Sequence, residues 1–190
     1  MKKFVIPILI VVVVVVGGFL VFSGGDDGGS EGAAQVACEA RAHSGAVFRD
    51  GVDALRPFAF RDYNGDCVSS ADFAGKSLVV NSWAVWCPFC KDELPDFAEV
   101  QREFADDVVF IAIDRRESLE KAKGFTDQYG ITDSMIFLLD PKDDFYKSIG
   151  GFSMPETLFV DVERNIQLHK RGVMKLDEAR ERTQQLLSSN

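Results

Sequence analysis

Two cysteines separated by two residues stand in Trp83-Ala84-Val85-Trp86-Cys87-Pro88-Phe89-Cys90, where an apolar run gives way to a helix-like pattern. In a first helical turn, this spacing brings both sulfurs close enough to form a disulfide and to open it again. A helix N-terminus carries roughly half a positive charge, which favours thiolate at the first, more exposed sulfur, that of Cys87. Pro88 suits the first turn, because the N–H it lacks would have had no partner inside the helix. Cys87 and Cys90 are thus the candidate catalytic pair for dithiol–disulfide exchange. The alternative is half of a zinc site, which needs four ligands. Only Cys38, Cys67, His43 and His169 remain to supply the other two, and none forms a second Cys-x-x-Cys or a His-x-x-x-His pair. No metal site is expected, and the two histidines read as surface residues.

The surrounding pattern must place these sulfurs. Leu78–Trp83 reads as a buried strand and Cys87–Ala105 as a helix, with Leu94, Phe97, Ala98, Gln101 and Phe104 at helical spacing and a kink expected at Pro95. Trp83 falls on the strand as a core residue, while Trp86 shapes the rim around Cys87. Before them, Pro57–Arg61 and Asp66–Ser70 flank a turn at Asn64-Gly65 and predict a hairpin. After them, Val108–Ile113 is a continuous apolar run suited to a central parallel strand. Glu117–Tyr129 predicts a second helix, Met135–Leu139 a short strand and Asp143–Ile149 a helical turn. Thr157–Asp161 and Asn165–Arg171 pair around a turn, and Lys175–Leu187 closes the chain as an amphipathic helix. The order predicts an α/β fold with a mixed sheet. Met154-Pro155, just ahead of the strand Thr157–Asp161, is a bond that proline allows to be cis.

Composition narrows the function. The 190 residues are 46% hydrophobic and 27% charged, which excludes a wholly disordered chain. With 30 Asp+Glu against 21 Lys+Arg the formal charge is −9, so no electrostatic footprint for nucleic acid exists. Phe4–Phe22 is an uncharged apolar run behind Lys2 and Lys3, followed by Gly24–Gly32 with acidic charges only. As a helix rising about 1.5 Å per residue it spans roughly 28 Å, close to the bilayer core. The charge bias keeps Met1–Lys3 inside and places Ser23 onward outside. Residues 1–23 are therefore a membrane anchor or, with cleavage before Gly24, a signal peptide. Residues 24–55 form a Gly-rich acidic tether and an ambiguous lead-in segment, and 56–190 one compact domain.

WAVWCPFCKDELP, VVFIAIDRRES and MPETLFVD together resemble the membrane-anchored thioredoxin-like proteins of the TlpA/ResA type, including the cytochrome c biogenesis thioredoxins, over residues 56–190. The resemblance implies a thioredoxin fold with an N-terminal β-hairpin extension, a mixed central sheet and a strand–helix insertion at about Leu119–Leu139. It implies that Cys87 attacks and Cys90 resolves, that Pro155 is a cis-proline beside the dithiol, and that Met154 hydrogen-bonds substrate backbone. Trp86, Pro88, Phe89, Met154 and Pro155 make up the expected substrate contacts. Asn81 stands where thioredoxin has a buried Asp that moves protons for the second cysteine. Glu93, one turn after Cys90, is a candidate substitute base, against the alternative of a solvated helix-face carboxylate. Lys91 is a candidate thiolate stabiliser, against the alternative of a solvated lysine. Pro155-Glu156-Thr157 is closer to the cytochrome c biogenesis members.

Cys38 and Cys67 remain, and outside the cytoplasm an even count permits a Cys38–Cys67 disulfide, with two separate thiols or an intermolecular bridge as alternatives. The leading expectation is an extracytoplasmic thiol–disulfide oxidoreductase acting on client proteins, served by a membrane electron donor or acceptor and needing no metal, nucleotide or flavin. Pro88-Phe89 and the resemblance lean towards a reductant. An oxidase or isomerase of secreted proteins, a thiol peroxidase and a metal-delivery module are the alternatives.

Overall fold

The computed structural model describes residues 37–38, 40–41 and 54–189. The Phe4–Phe22 segment, the Gly-rich tether and His43 lie outside the described residues. Among those described, no helix is long and apolar enough to cross a membrane.

Seven strands form one mixed sheet: β1 (Ala59–Asp62), β2 (Cys67–Ser69), β3 (Ser77–Trp83), β4 (Val108–Arg115), β5 (Ile136–Asp140), β6 (Glu156–Val160) and β7 (Ile166–Arg171). Their spatial order is β2-β1-β5-β4-β3-β6-β7. β3 pairs parallel with β4, and β4 with β5, while β6 lies antiparallel to β3 and β7 antiparallel to β6. Among the described residues of the domain, four α-helices pack on this sheet: α1 (Pro88–Glu103), α2 (Leu119–Gln128), α3 (Asp144–Ser148) and α4 (Leu176–Ser188). This is a thioredoxin fold. α2 and β5 form the insertion, and the β1–β2 hairpin extends the sheet by pairing antiparallel with β5.

β3 is buried along its whole length, which explains its near-continuous apolar sequence. Alternation along it still sorts side chains by face. Leu78 and Val80 join Ile111, Ile113, Leu158 and Phe145 on one side of the sheet. Val79 packs with Phe97, Phe110 and Phe159 on the other, and Trp83 with Leu94, Phe125 and Phe137. Asn81 lies between Val79 and Trp83 in this alternation, so its amide faces α1 rather than solvent.

α1 buries Cys90, Glu93, Leu94, Phe97, Ala98 and Val100, a helical stripe against the sheet. Truncating Phe97 to Ala would cost about 3–5 kcal/mol through lost transfer energy and the cavity left behind. The helix runs from Pro88 through Pro95 to Glu103, so Pro95 does not end it. Cys87 is its N-cap rather than its first helical residue. α2 begins two residues later than its sequence pattern suggests, because the Ser118 hydroxyl accepts the N–H of Lys121 and caps the start.

Cys38 and Cys67 are joined by a disulfide whose Cα atoms lie 5.5 Å apart, fastening the lead-in segment to β2. Both pack with Ala59 in a small satellite cluster.

Candidate functional site

The site forms where β3 and β4 end and α1 begins. Cys87 and Cys90 are disulfide-bonded, with Cα atoms 5.3 Å apart. Cys87 holds extended backbone, and its sulfur accepts the N–H of Cys90 at 3.1 Å. One orphan amide of the first helical turn is thus aimed at this sulfur, and such a donor favours a thiolate there when the bond opens. Pro88 occupies the first helical position. Contrary to the expected exposure of the first sulfur, Cys87 is only 1% exposed in this disulfide state. The cause is the cluster around it, which contains both cysteines and has Val85 and Met154 packed against it.

The rim is aromatic. Trp86 is 61% and Phe89 55% exposed, large apolar surfaces left in water on either side of Cys87. Trp83, by contrast, is fully buried in the core. The Arg115 guanidinium lies 5.9 Å from the Trp86 ring centroid and 3.4 Å from that of Tyr146, while Asp143 grips it through two 2.7 Å bonds. Lys91 is exposed.

The Met154–Pro155 peptide bond is cis. Pro155 is buried, and Met154 packs against the apolar cluster that includes both cysteines. Phe152, in the same loop, is among the most exposed aromatics described.

Glu93 is fully buried, which overturns the alternative of a solvated helix-face carboxylate. One oxygen accepts the Asn81 amide at 2.9 Å and the other the backbone N–H of Met174 at 2.8 Å. Burial pushes its carboxyl up to about 8, outweighing those two donors, which favour the charged form. Residues three apart on a helix have side chains about 5–6 Å apart, so this carboxyl and Cys90 share one face of α1.

His169 is not a plain surface residue. Its Nε2 lies 2.7 Å from Glu156 Oε2, and Glu156 is fully buried at the start of β6. Sequence reasoning left Glu156 without a role and missed Glu117, whose Oε2 accepts the Val85 N–H at 2.6 Å in the loop leading to Cys87. It also missed Asp114, whose carboxyl is raised by burial and by neighbouring Glu117. The available signal was an acidic residue at the edge of an otherwise apolar strand, as in Val108–Arg115 and Glu156–Val160.

The Redoxin family model matches residues 52–187. Thioredoxin-like protein YneN of Bacillus subtilis (strain 168) is 29% identical over 120 residues, covering 62% of this chain and 69% of its own. Thiol-disulfide oxidoreductase ResA of the same strain is 27% identical over 118 residues, covering 62% of this chain and 65% of its own. The solved structure of MTB dsbF superposes with a TM-score of 0.63 at 26% identity, over 68% of this chain and 94% of that one. StoA from Bacillus subtilis, at 22% identity, TM-score 0.58 and coverage of 67% and 96%, shares the fold. With a thioredoxin fold, a bonded Cys-x-x-Cys at a helix start and a family match across the whole folded domain, the chain belongs to the Redoxin family, as a thioredoxin-like protein of the ResA type of thiol–disulfide oxidoreductase.

Proposed function

We propose that this chain exchanges disulfides with client proteins outside the cytoplasm through Cys87 and Cys90, and that it works as a reductant, as in the maturation of cytochrome c. The observation that carries this reading is the bonded pair at the N-terminus of α1, with the Cys90 N–H directed at the Cys87 sulfur and Met154 packed against the pair's cluster.

In the reducing direction the Cys87 thiolate attacks one sulfur of a client disulfide, forming a mixed disulfide and releasing the other client sulfur as thiolate. Cys90 then gives its proton to the Glu93 carboxylate and attacks the Cys87 sulfur. The client's second thiolate leaves, and the Cys87–Cys90 bond closes. Two electrons have moved from the dithiol to the client. A membrane electron donor reopens the pair by the reverse steps, with Glu93 returning the proton to Cys90. Trp86, Pro88, Phe89, Pro155 and the backbone of Met154 form the client-binding surface. Phe4–Phe22 holds the domain at the outer side of the membrane or is cleaved as a signal.

The reduction potential of the pair, measured by equilibration with a dithiothreitol or glutathione series, tests the direction. A Cys38→Ser/Cys67→Ser background isolates the signal. A value below about −220 mV agrees with a reductant, and one above about −150 mV overturns it in favour of an oxidase of secreted thiols. Replacing Cys90 with Ser should accumulate a mixed disulfide between Cys87 and the client, visible by mass spectrometry. Its absence would overturn the assignment of Cys87 as attacking sulfur.

A further inference from the structure

We propose that Glu156 and His169 form a carboxylate–imidazole brace that holds the cis-proline loop in its client-binding conformation, making His169 a positioning residue for client capture. The inference rests on the exchange reading above, since it concerns how the same site takes up its client.

The loop from Gly150 to Met154, between α3 and β6, lies in neither helix nor strand. Its backbone must therefore be satisfied by something other than a ladder. The N–H groups of Phe152 and Ser153 both donate to Glu156 Oε1. Glu156 thereby acts on the loop as an N-cap carboxylate acts on a helix, drawing two consecutive amides onto one oxygen. Its second oxygen meets His169 Nε2 across the β6–β7 pairing. With Nε2 as the donor, this contact gives the second oxygen a partner that the strand ladder does not supply.

Burial makes the partner necessary. Glu156 is fully buried, and a buried carboxylate is costly unless paired and hydrogen-bonded. Ser82, its register neighbour on β3, is equally buried and carries no charge. Tyr146 of α3 also acts on this carboxylate electrostatically, and Arg115 is committed to Asp143 and to the Tyr146 ring. His169, with a side chain 22% exposed, is the one basic group hydrogen-bonded to Glu156 among the described residues.

The loop is held from a second direction by close packing. Gly151 has a φ of +53°, and a Cβ there would sit 2.8 Å from Tyr146 Cε1, so the backbone passes directly over that ring. Packed on Tyr146 and tied to Glu156, the loop presents Phe152 to solvent, 82% exposed and 5.8 Å from the Arg171 guanidinium. The same stretch leads straight into Met154 and Pro155. A brace on Phe152 and Ser153 therefore acts on what the client touches, while the disulfide itself is carried by α1.

The test compares the full chain with its His169→Leu and His169→Gln variants by three readouts. These are hydrogen exchange at the Phe152 and Ser153 amides, kcat and KM for insulin disulfides, and the rate at which dithiothreitol reduces Cys87–Cys90. The Leu variant should exchange both amides faster and raise KM roughly tenfold, the size of one charge-assisted hydrogen bond, leaving kcat and the dithiothreitol rate unchanged. The Gln variant keeps a donor facing Glu156 and should recover most of both effects. Unchanged amide exchange in the Leu variant overturns the brace, as does an equal loss towards insulin and dithiothreitol. A wild-type chain inert towards both reagents overturns the exchange reading instead, so the two failures are separable.

Discussion

Asn81 of β3 donates its side-chain amide to Glu93 Oε2 and to Thr157 Oγ1, each at 2.9 Å, tying the helix that carries the dithiol to the strand that follows the cis-proline. The Asn81 oxygen is buried without a partner. A neutral amide thus occupies the strand, and the ionisable group has moved to the helix, one turn beyond Cys90. The arrangement buries a carboxyl one helical turn beyond Cys90 and supplies an amide donor to hold it.

Replacing Glu93 with Gln should change both stability and rate in a pH-dependent way. The carboxyl is raised by burial from 4.5 to about 8, so the folded state binds the extra proton. Its contribution to stability is therefore greatest below about 4.5, falls as the pH rises to about 8, and is flat above. Within that window the slope is at most about 1.4 kcal/mol per pH unit. Denaturation of wild type and variant across pH 4–9 should show the variant gaining relative stability as the pH rises. The resolving step should quicken towards pH 8 in wild type, lose that limb in the variant, and slow about a hundredfold at neutral pH. A variant with the wild-type pH profile would remove Glu93 from proton transfer.

Much of this architecture was legible in the chain, for physical reasons that also mark where legibility ended. The long apolar runs Leu78–Trp83 and Val108–Ile113 announced central strands, because a strand covered on both faces tolerates little else. Cys-Pro-x-Cys announced a helix start through the chemistry of orphan amides. Glu93 was ambiguous because a helical wheel cannot tell that its face meets Asn81 and Met174, contacts made across separations of 12 and 81 residues. Glu156 and His169 were silent for the same reason: their meaning lies in a cross-strand contact and a loop amide, and neither leaves a local pattern. The exposure of Cys87 was misjudged because position in a helix does not report what packs over it.

The Cys38–Cys67 disulfide spans a sequence separation of 29 and should matter to stability, not to exchange. In the chain-entropy model a loop of that length is worth roughly 3–4 kcal/mol. A Cys38→Ser/Cys67→Ser variant should melt lower by an amount matching that loss, with an unchanged potential at Cys87–Cys90. A shifted potential would mean that the two disulfides communicate.

Trp86 and Phe89 leave large apolar surfaces in water beside the dithiol, and such exposure marks surfaces that are covered on binding. Replacing each with Ala should raise KM for a protein client while leaving the melting temperature within a degree or two, since surface truncations cost little. Loss of aromatic anchors at an interface costs about 1–3 kcal/mol, so KM should rise roughly 5- to 150-fold. Unchanged KM in both variants would move the client surface elsewhere.

Glu117 holds the loop that leads into the dithiol, and its variants should show a kinetic signature distinct from that of His169. Its Oε2 accepts the Val85 N–H at 2.6 Å, and its own N–H donates to Asp114 Oδ1 at 3.1 Å, so the β4 end holds the loop that sets Cys87 at the helix start. Replacing Glu117 with Ala frees the Val85 amide and should cost about 1–2 kcal/mol of stability, in line with one charge-assisted bond at a half-buried site. The displaced Cys87 should then react several-fold more slowly with dithiothreitol and with insulin alike, because both reagents need the same sulfur. Gln at this position keeps an acceptor for Val85 and should restore the rate. An Ala variant slowed only towards insulin would instead place Glu117 at the client interface.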